Sequence, residues 1–185
     1  MSHPAYRPPV DSPVPPPGLL VGELVTLRPA TADDVPSLAR IRATPEVFDR
    51  WRGGDDMAAA VASDLEEDGV TSYVVLVDGA VAGAIQWGEE EDPDYHHASI
   101  DIYLDPAVHG RGVGTDAVRT LARHLLHHRG FHRLVIDPAA DNAAAIRAYG
   151  KVGFRAVGVM RRYERGPDGT WHDGLLMELL DDELT

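Results

Sequence analysis

Cysteine is absent from the 185-residue chain, which excludes disulfides, thiolate metal sites and a thiol nucleophile. Positive charge is scarce. Lys and Arg number 17 against 30 Asp and Glu, for a formal net charge of −13. Nucleic acid is therefore not an expected partner, because binding a phosphate backbone requires clustered Lys and Arg. The chain has no run of about 18 apolar residues, so no membrane span is expected. Its N-terminus lacks the basic-then-apolar pattern of a secretory signal. With cysteine missing as well, a cytoplasmic protein is the expectation. What remains is ordinary for one globular domain, with 44% hydrophobic and 25% charged residues on a chain long enough to bury a core.

The negative charge is unevenly spread. Residues 49–94 hold thirteen acids against Arg50 and Arg52 alone, so this quarter of the chain carries 11 of the 13 net negative charges. One reading is a solvated acidic face. The other is a surface that attracts a cationic ligand.

Residues 1–20 contain Pro4, Pro8, Pro9, Pro13, Pro15, Pro16 and Pro17. That density forbids helix and central strand, so a disordered or extended tail is expected ahead of a domain spanning 21–185. "ELVTLRPA" alternates as a strand, and Thr31 is placed to cap a helix over "TADDVPSLARIRA" that Pro45 ends. "GDDMAAAVASDLEED" reads as a second helix. "SYVVLVDGAVAGAIQWG" is a hairpin pattern turning at Asp78-Gly79. "HASIDIYLDP" follows as a strand. "HRLVIDP" is a short buried-type strand, "NAAAIRAYGKV" a helix, and "FRAVGVMRRYER" with "WHDGLLMELL" a last hairpin around "GPDG". Strands around a central strand–helix–strand–helix unit indicate one α/β domain on a mixed sheet.

The most informative stretch is "DPAVHGRGVGTDAVRTLARHLL" (105–126), where Gly110, Gly112 and Gly114 stand directly before an amphipathic helix. First-turn N–H groups lack helical partners and the macrodipole adds positive character, so anions bind there. Glycines let backbone approach a pyrophosphate without Cβ interference. The spacing matches neither the dinucleotide fingerprint nor a P-loop. Tight helix–strand packing accounts for such a turn equally well.

"GRGVG" before a long helix, followed about thirty residues on by the Asn142, Ala145, Tyr149 and Gly153-Phe154 pattern of "NAAAIRAYGKVGF", resembles the GNAT acetyltransferase superfamily. The likeness runs over residues 22–180. It implies a mixed, mostly antiparallel sheet with splayed central strands, flanked by helices. It also implies acetyl-CoA as co-substrate, with no metal. On this resemblance His109, Gly110, Arg111, Gly112, Val113, Gly114 and Thr115 hold the pyrophosphate. Ile102, Tyr103 and Leu104 run beside the pantetheine arm, and Asn142 and Ala145 contact it. Tyr149 protonates the departing thiolate, a task that needs a donor within hydrogen-bond reach. His109 departs from the family's usual Gln or Arg, so the backbone N–H groups are the expected phosphate contacts.

Alternation in "SIDIYL" sets Asp101 on the face opposite Ile100 and Ile102. A mid-strand carboxylate is explained by an exposed face, a structural hydrogen bond or a catalytic task. Asp137, before Pro138, suits a turn equally. Within the superfamily the combination resembles the aminoglycoside 6′-N-acetyltransferases. "RWRGGDD" is similar to their tryptophan-and-acid loop, and "SIDIYL" to the strand bearing their catalytic aspartate. That likeness implies Asp101 as base, and Trp51, Asp55, Trp87, Glu90, Asp101 and Asp137 as contacts to a small polycationic amine. It also gives the acidic quarter a cationic partner. Siderophore-pathway lysine N-acyltransferases and peptide N-terminal acetyltransferases share the motif order and remain alternatives. A monomer and a homodimer are both compatible with the sequence.

Overall fold

A computed structural model describes residues 18–51, 54, 56–166 and 169–185. The Pro-rich segment 1–17, Asp55 and part of the "GPDG" turn lie outside the described residues. An eight-stranded sheet has the order β1-β2-β3-β4-β5-β6-β8-β7. Its strands are β1 (Leu20–Val21), β2 (Thr26–Pro29), β3 (Val70–Val77), β4 (Ala80–Glu90), β5 (His97–Leu104), β6 (Arg133–Ile136), β7 (Arg155–Arg165) and β8 (Trp171–Leu180). Every neighbouring pair is antiparallel except β5 with β6. This is the mixed, mostly antiparallel architecture expected from the sequence. The helices are α1 (Val35–Arg42), α2 (Pro45–Phe48), α3 (Met57–Leu65), α4 (Val113–His127) and α5 (Ala143–Gly150). None of the described helices is long and apolar enough to cross a membrane.

Local chemistry places these elements. Asp78 and Gly79 take φ of 51° and 79°, the left-handed pair that a two-residue hairpin turn requires. Thr31 does open a helical segment, but its first turn is a 3-10 turn over Ala32–Asp34. Asp34 explains it. Its carboxylate accepts from Thr31 N (2.8 Å) and Thr31 Oγ1 (3.0 Å) and takes a bidentate pair from Arg28 at 2.7 and 3.1 Å. That network ties β2 to the start of α1 and tightens the turn. The folded chain also begins slightly earlier than expected, with Leu20 already paired to Leu27.

Alternation along β4 and β5 sorts the core into two layers. Ile85, Ile100, Leu134 and Leu179 pack under Leu121 and Leu125 of α4. Val74, Ala84 and Tyr103 face the other way, against Leu38, Ile41 and Val61. Burying side chains of this size stabilises by about 1.5–3 kcal/mol each, set against the entropy of ordering them.

One polar contact fixes the helix that matters most. Asp116, 4% exposed in the first turn of α4, accepts the N–H groups of Leu24 (2.7 Å), Val25 (3.0 Å) and Glu23 (3.2 Å). Its charge is thereby turned away from the helix start and used against the β1–β2 loop. A Cβ on Gly22 would lie 2.5 Å from both Asp116 Oδ2 and Thr120 Oγ1. Asp116→Ala strands three amides, and should cost about 2–3 kcal/mol, the worth of charge-assisted bonds left unmade. Urea unfolding checks this. An unchanged midpoint would show that the loop satisfies itself.

Candidate active site

The site starts where the sheet parts. β5 and β6 pair only at Ala98↔Leu134 and Ser99↔Val135. Beyond Ser99 the two strands diverge, and the edge of β5 from Ile100 to Leu104 faces an opening. A cleft of about 840 Å³ fills it and runs on across the sheet, within the usual range of roughly 300–1,000 Å³ for small-molecule sites.

One arm of the cleft ends at the start of α4. Gly110 and Gly112 have φ of 72° and 84°, and Gly112 is the N-cap. L-residues rarely take that backbone, so both positions need glycine for conformation. Nothing lies within 4 Å of the place a Cβ would occupy on Gly110, whereas on Gly114 it would meet Leu104 Cδ1 at 3.3 Å. Gly114 therefore serves strand–helix packing, and Gly110 keeps open space. No side chain caps α4, and its one first-turn acid, Asp116, is spent elsewhere. The helix start is left as a place for an anion. His109 and Thr115 line the cleft, with His109 Nε2 3.2 Å from the Leu104 carbonyl oxygen. Arg111 is exposed and does not line it.

The two arms meet at Asp101 and Tyr149. Asp101 points away from Ile100 and Ile102, as alternation requires. Asp101 is exposed, and the space it opens on is the cleft within the fold. Burial, then the carboxylates of Asp137 and Glu164, push its pKa up to about 7, with the Ile102 N–H opposing. Tyr149 is 8% exposed, packs beside Phe154 and reaches the cleft. Burial and the charges of Asp101 and Asp137 push its pKa well above the usual tyrosine value, so the hydroxyl keeps its proton. Asp137, just past β6, is raised by burial and drawn back by a hydrogen bond from Tyr163. Asn142 caps α5 and accepts from Ala145 N at 3.2 Å, the role its side chain suits by itself. Its amide N–H₂ retains capacity for a ligand.

The other arm collects Trp51, whose ring meets Tyr103 edge-on at 4.8 Å. Ile102, Tyr103 and Leu104 line the cleft from β5. Two expected contacts do not line this cleft, although Trp87 borders a smaller cavity of about 260 Å³ beside Asp101. Trp87 is 6% exposed in the α4-side core, against Phe131 and under Arg129. It belongs to the face that Ile100 occupies, one residue out of phase with Gln86, which sits across from Asp101. Glu90 lies on the correct face but beyond the cleft, accepting from Asp92 N at 3.1 Å in the β4–β5 turn. Of the described acids in residues 49–94, only Asp64 and Glu67 line the cleft. The carboxylates that do shape it, Asp101, Asp137 and Glu164, come from outside that quarter. Two of its cations are paired, Arg42 with Asp64 and Arg50 with Asp141 at 2.6 Å, while Arg147 and Lys151 also line it.

Sequence reasoning missed Gln86, Tyr163 and Glu164. The register of the β3–β4 hairpin against β5 would have found Gln86. The other two arrive through an irregularity in β7 that no periodicity announces. Among the described residues no group of three or more His, Asp or Glu is placed to hold a metal.

A sheet that parts beside an open helix start, with an aspartate and a tyrosine at the fork, is the architecture of an acyl-group transferase. Comparison with known proteins makes the class specific. The acetyltransferase (GNAT) domain family matches residues 25–155. An aminoglycoside N(6′)-acetyltransferase type 1 from Klebsiella pneumoniae is 30% identical over 165 residues, covering 78% of this chain and 79% of its own. The N-α-acetyltransferase RimI of Mycobacterium tuberculosis is 38% identical over 73 residues, 40% of this chain and 44% of its own. Among solved structures, AAC(6′)-Ib in complex with paromomycin and acetyl-CoA superposes with a TM-score of 0.72 at 27% identity, covering 87% of this chain and 96% of that one. The chain belongs to the GNAT acetyltransferase family.

The raised pKa of Asp101 has a consequence for stability. Below the ordinary value of 3.8 both folded and unfolded states hold its proton, so the site costs nothing there. Between that value and about 7 the unfolded state releases the proton more readily, and stability declines. Asp101→Asn removes the penalty. Its melting temperature should exceed the wild-type value above pH 7, with the gain vanishing below about pH 4. A variant less stable than wild type at pH 8 would mean that Asp101 is well solvated or paired.

Proposed function

We propose that this protein transfers the acetyl group of acetyl-CoA to a primary amine of a small polycationic acceptor, with the 6′-amine of an aminoglycoside as the leading substrate. The observation that carries the reading is the fork itself. Asp101 and Tyr149 stand where the arm leading to the α4 start meets the carboxylates of Asp137 and Glu164. The relatives' names support it, and so does the fit of the cleft. Acetyl-CoA, when bound, supplies an acetyl group activated as a thioester. The N–H groups at the start of α4 are suited to its pyrophosphate, and the open edge of β5 to its pantetheine arm.

The chain's own task is to orient and to move two protons. Asp101, with a pKa near 7 rather than 4, is basic enough to relieve an acceptor ammonium of its proton, directly or through one water. Tyr149, protonated across the accessible pH range, donates to the departing thiolate. Asp137 and Glu164 hold the remaining ammonium groups by charge. With no cysteine to carry an acyl group, direct transfer within a ternary complex is the mechanism, and much of the rate comes from positioning. A peptide N-terminal acceptor is the second reading, favoured by the RimI similarity over 73 residues.

Tyr149→Phe should lower kcat roughly tenfold to a thousandfold while leaving acetyl-CoA affinity nearly unchanged. Undiminished turnover would make the hydroxyl dispensable. For the reading as a whole, acetyl-CoA consumption is compared with kanamycin, hydroxylysine and a basic peptide as acceptors. Kanamycin should turn over fastest, Asp101→Asn should abolish turnover, and Gly112→Leu should remove the thermal stabilisation that acetyl-CoA gives wild type. Faster use of the peptide or of hydroxylysine would replace the aminoglycoside by that acceptor.

A further inference from the structure

β7 loses register with β8 at one place. Met160 pairs with Gly174 and Glu164 with His172, so four residues of advance on β7 meet two on β8. Arg161, Arg162 and Tyr163 together oppose Asp173. Arg162 has φ of 52°, left-handed backbone that a branched-chain or long L-residue seldom adopts. Its N–H donates to Asp173 Oδ1 at 2.8 Å, which fixes the kink. A strained bulge held by its neighbours is a device for re-aiming a side chain.

The side chain re-aimed is Tyr163. Its ring lies against Gly174, where a Cβ would sit 2.9 Å from Tyr163 Cδ1 and 3.2 Å from Met160 Cε. Its hydroxyl faces the Asp137 carboxyl across the cleft that both residues line, and draws that carboxyl's pKa down. The same stretch of β8 pins the other side. Ala140 N donates to the Asp173 carbonyl oxygen at 2.8 Å, and Leu175 N to that of Pro138 at 2.9 Å. Asp173 therefore serves both partners, its carboxylate holding the β7 bulge and its carbonyl the segment after Asp137. Tyr163 and Asp137 also line a cavity of about 260 Å³ that continues the acceptor arm over Gly88 and Ser99.

We infer that Tyr163 is a positioning residue, presented by the bulge at Arg162 to hold the Asp137 carboxylate toward the acceptor's second ammonium group. This rests on the amine-acetylating reading above. Acceptors with several amines then depend on Tyr163, and an acceptor with one amine does not. Asp101 on β5, Tyr149 on α5 and Glu164 on β7 are the other titratable groups around Asp137.

The test uses the full chain with Tyr163→Phe, comparing kanamycin with 6-amino-6-deoxyglucose. Tyr163→Phe should raise KM for kanamycin roughly threefold to tenfold, the worth of one net hydrogen bond. The changes in kcat, in acetyl-CoA KM and in KM for the monoamine should stay within twofold. Gly174→Ala, which displaces the ring and keeps the hydroxyl, should give the same split. Equal losses with both acceptors, or none with either, overturn the inference. The pair is also read without an acceptor, by carbon-13 titration of the Asp137 carboxyl. Its midpoint should move up in Tyr163→Phe, and an unmoved midpoint overturns the inference even if wild type acetylates another amine. Wild type inactive on every amine, with that midpoint displaced, would instead defeat the acetylating reading and leave the pair standing.

Discussion

Two residue pairs, Ala98↔Leu134 and Ser99↔Val135, are all that join the halves of the sheet in parallel. β6 is four residues long and runs into Asp137-Pro138, and proline has no N–H to continue a ladder. β5 continues without a neighbour on that side, so its edge must be satisfied by something other than protein. The parting also brings the start of α4 to the opening, because the crossover from β5 to β6 is that helix. Anion site, open strand edge and carboxylates thus share one cause.

The cost of this arrangement is electrostatic. Three carboxylates, Asp101, Asp137 and Glu164, are held near one another, while Arg42 and Arg50 of the same cleft are paired with Asp64 and Asp141. A fold optimised for stability would pair those acids. Burial first, and then these neighbours, raise Asp101 into the range where it can exchange a proton near neutrality, a trade of stability for reactivity. Asp116 shows the contrasting solution, a carboxylate fully consumed by three backbone N–H groups.

Much of this was legible in the sequence. The glycines before α4 and the Asp78-Gly79 turn follow from local chemistry, the tyrosine of α5 from the family resemblance, and the opposite facing of Asp101 and Ile100 from period two alone. Trp87 was misread because alternation states that Gln86 and Trp87 face apart, yet only the pairing with β5 says which one meets the cleft. The acidic quarter misled for a related reason. Density along the chain is not density in space, and most of those acids end in the β4–β5 turn or around α3. Tyr163 was invisible because its direction depends on a two-residue slip and a left-handed Arg162, neither of which leaves a periodic trace.

The chemistry of the fork turns on the protonation of one carboxyl group, and carbon-13 titration of the Asp101 side chain in the free protein reads it directly. A midpoint near 7 is the result expected of a strand carboxylate set within the cleft beside Asp137 and Glu164. A midpoint near the ordinary aspartate value of about 4 would contradict it. Asp101 would then be a solvated anion that orients the amine without taking its proton.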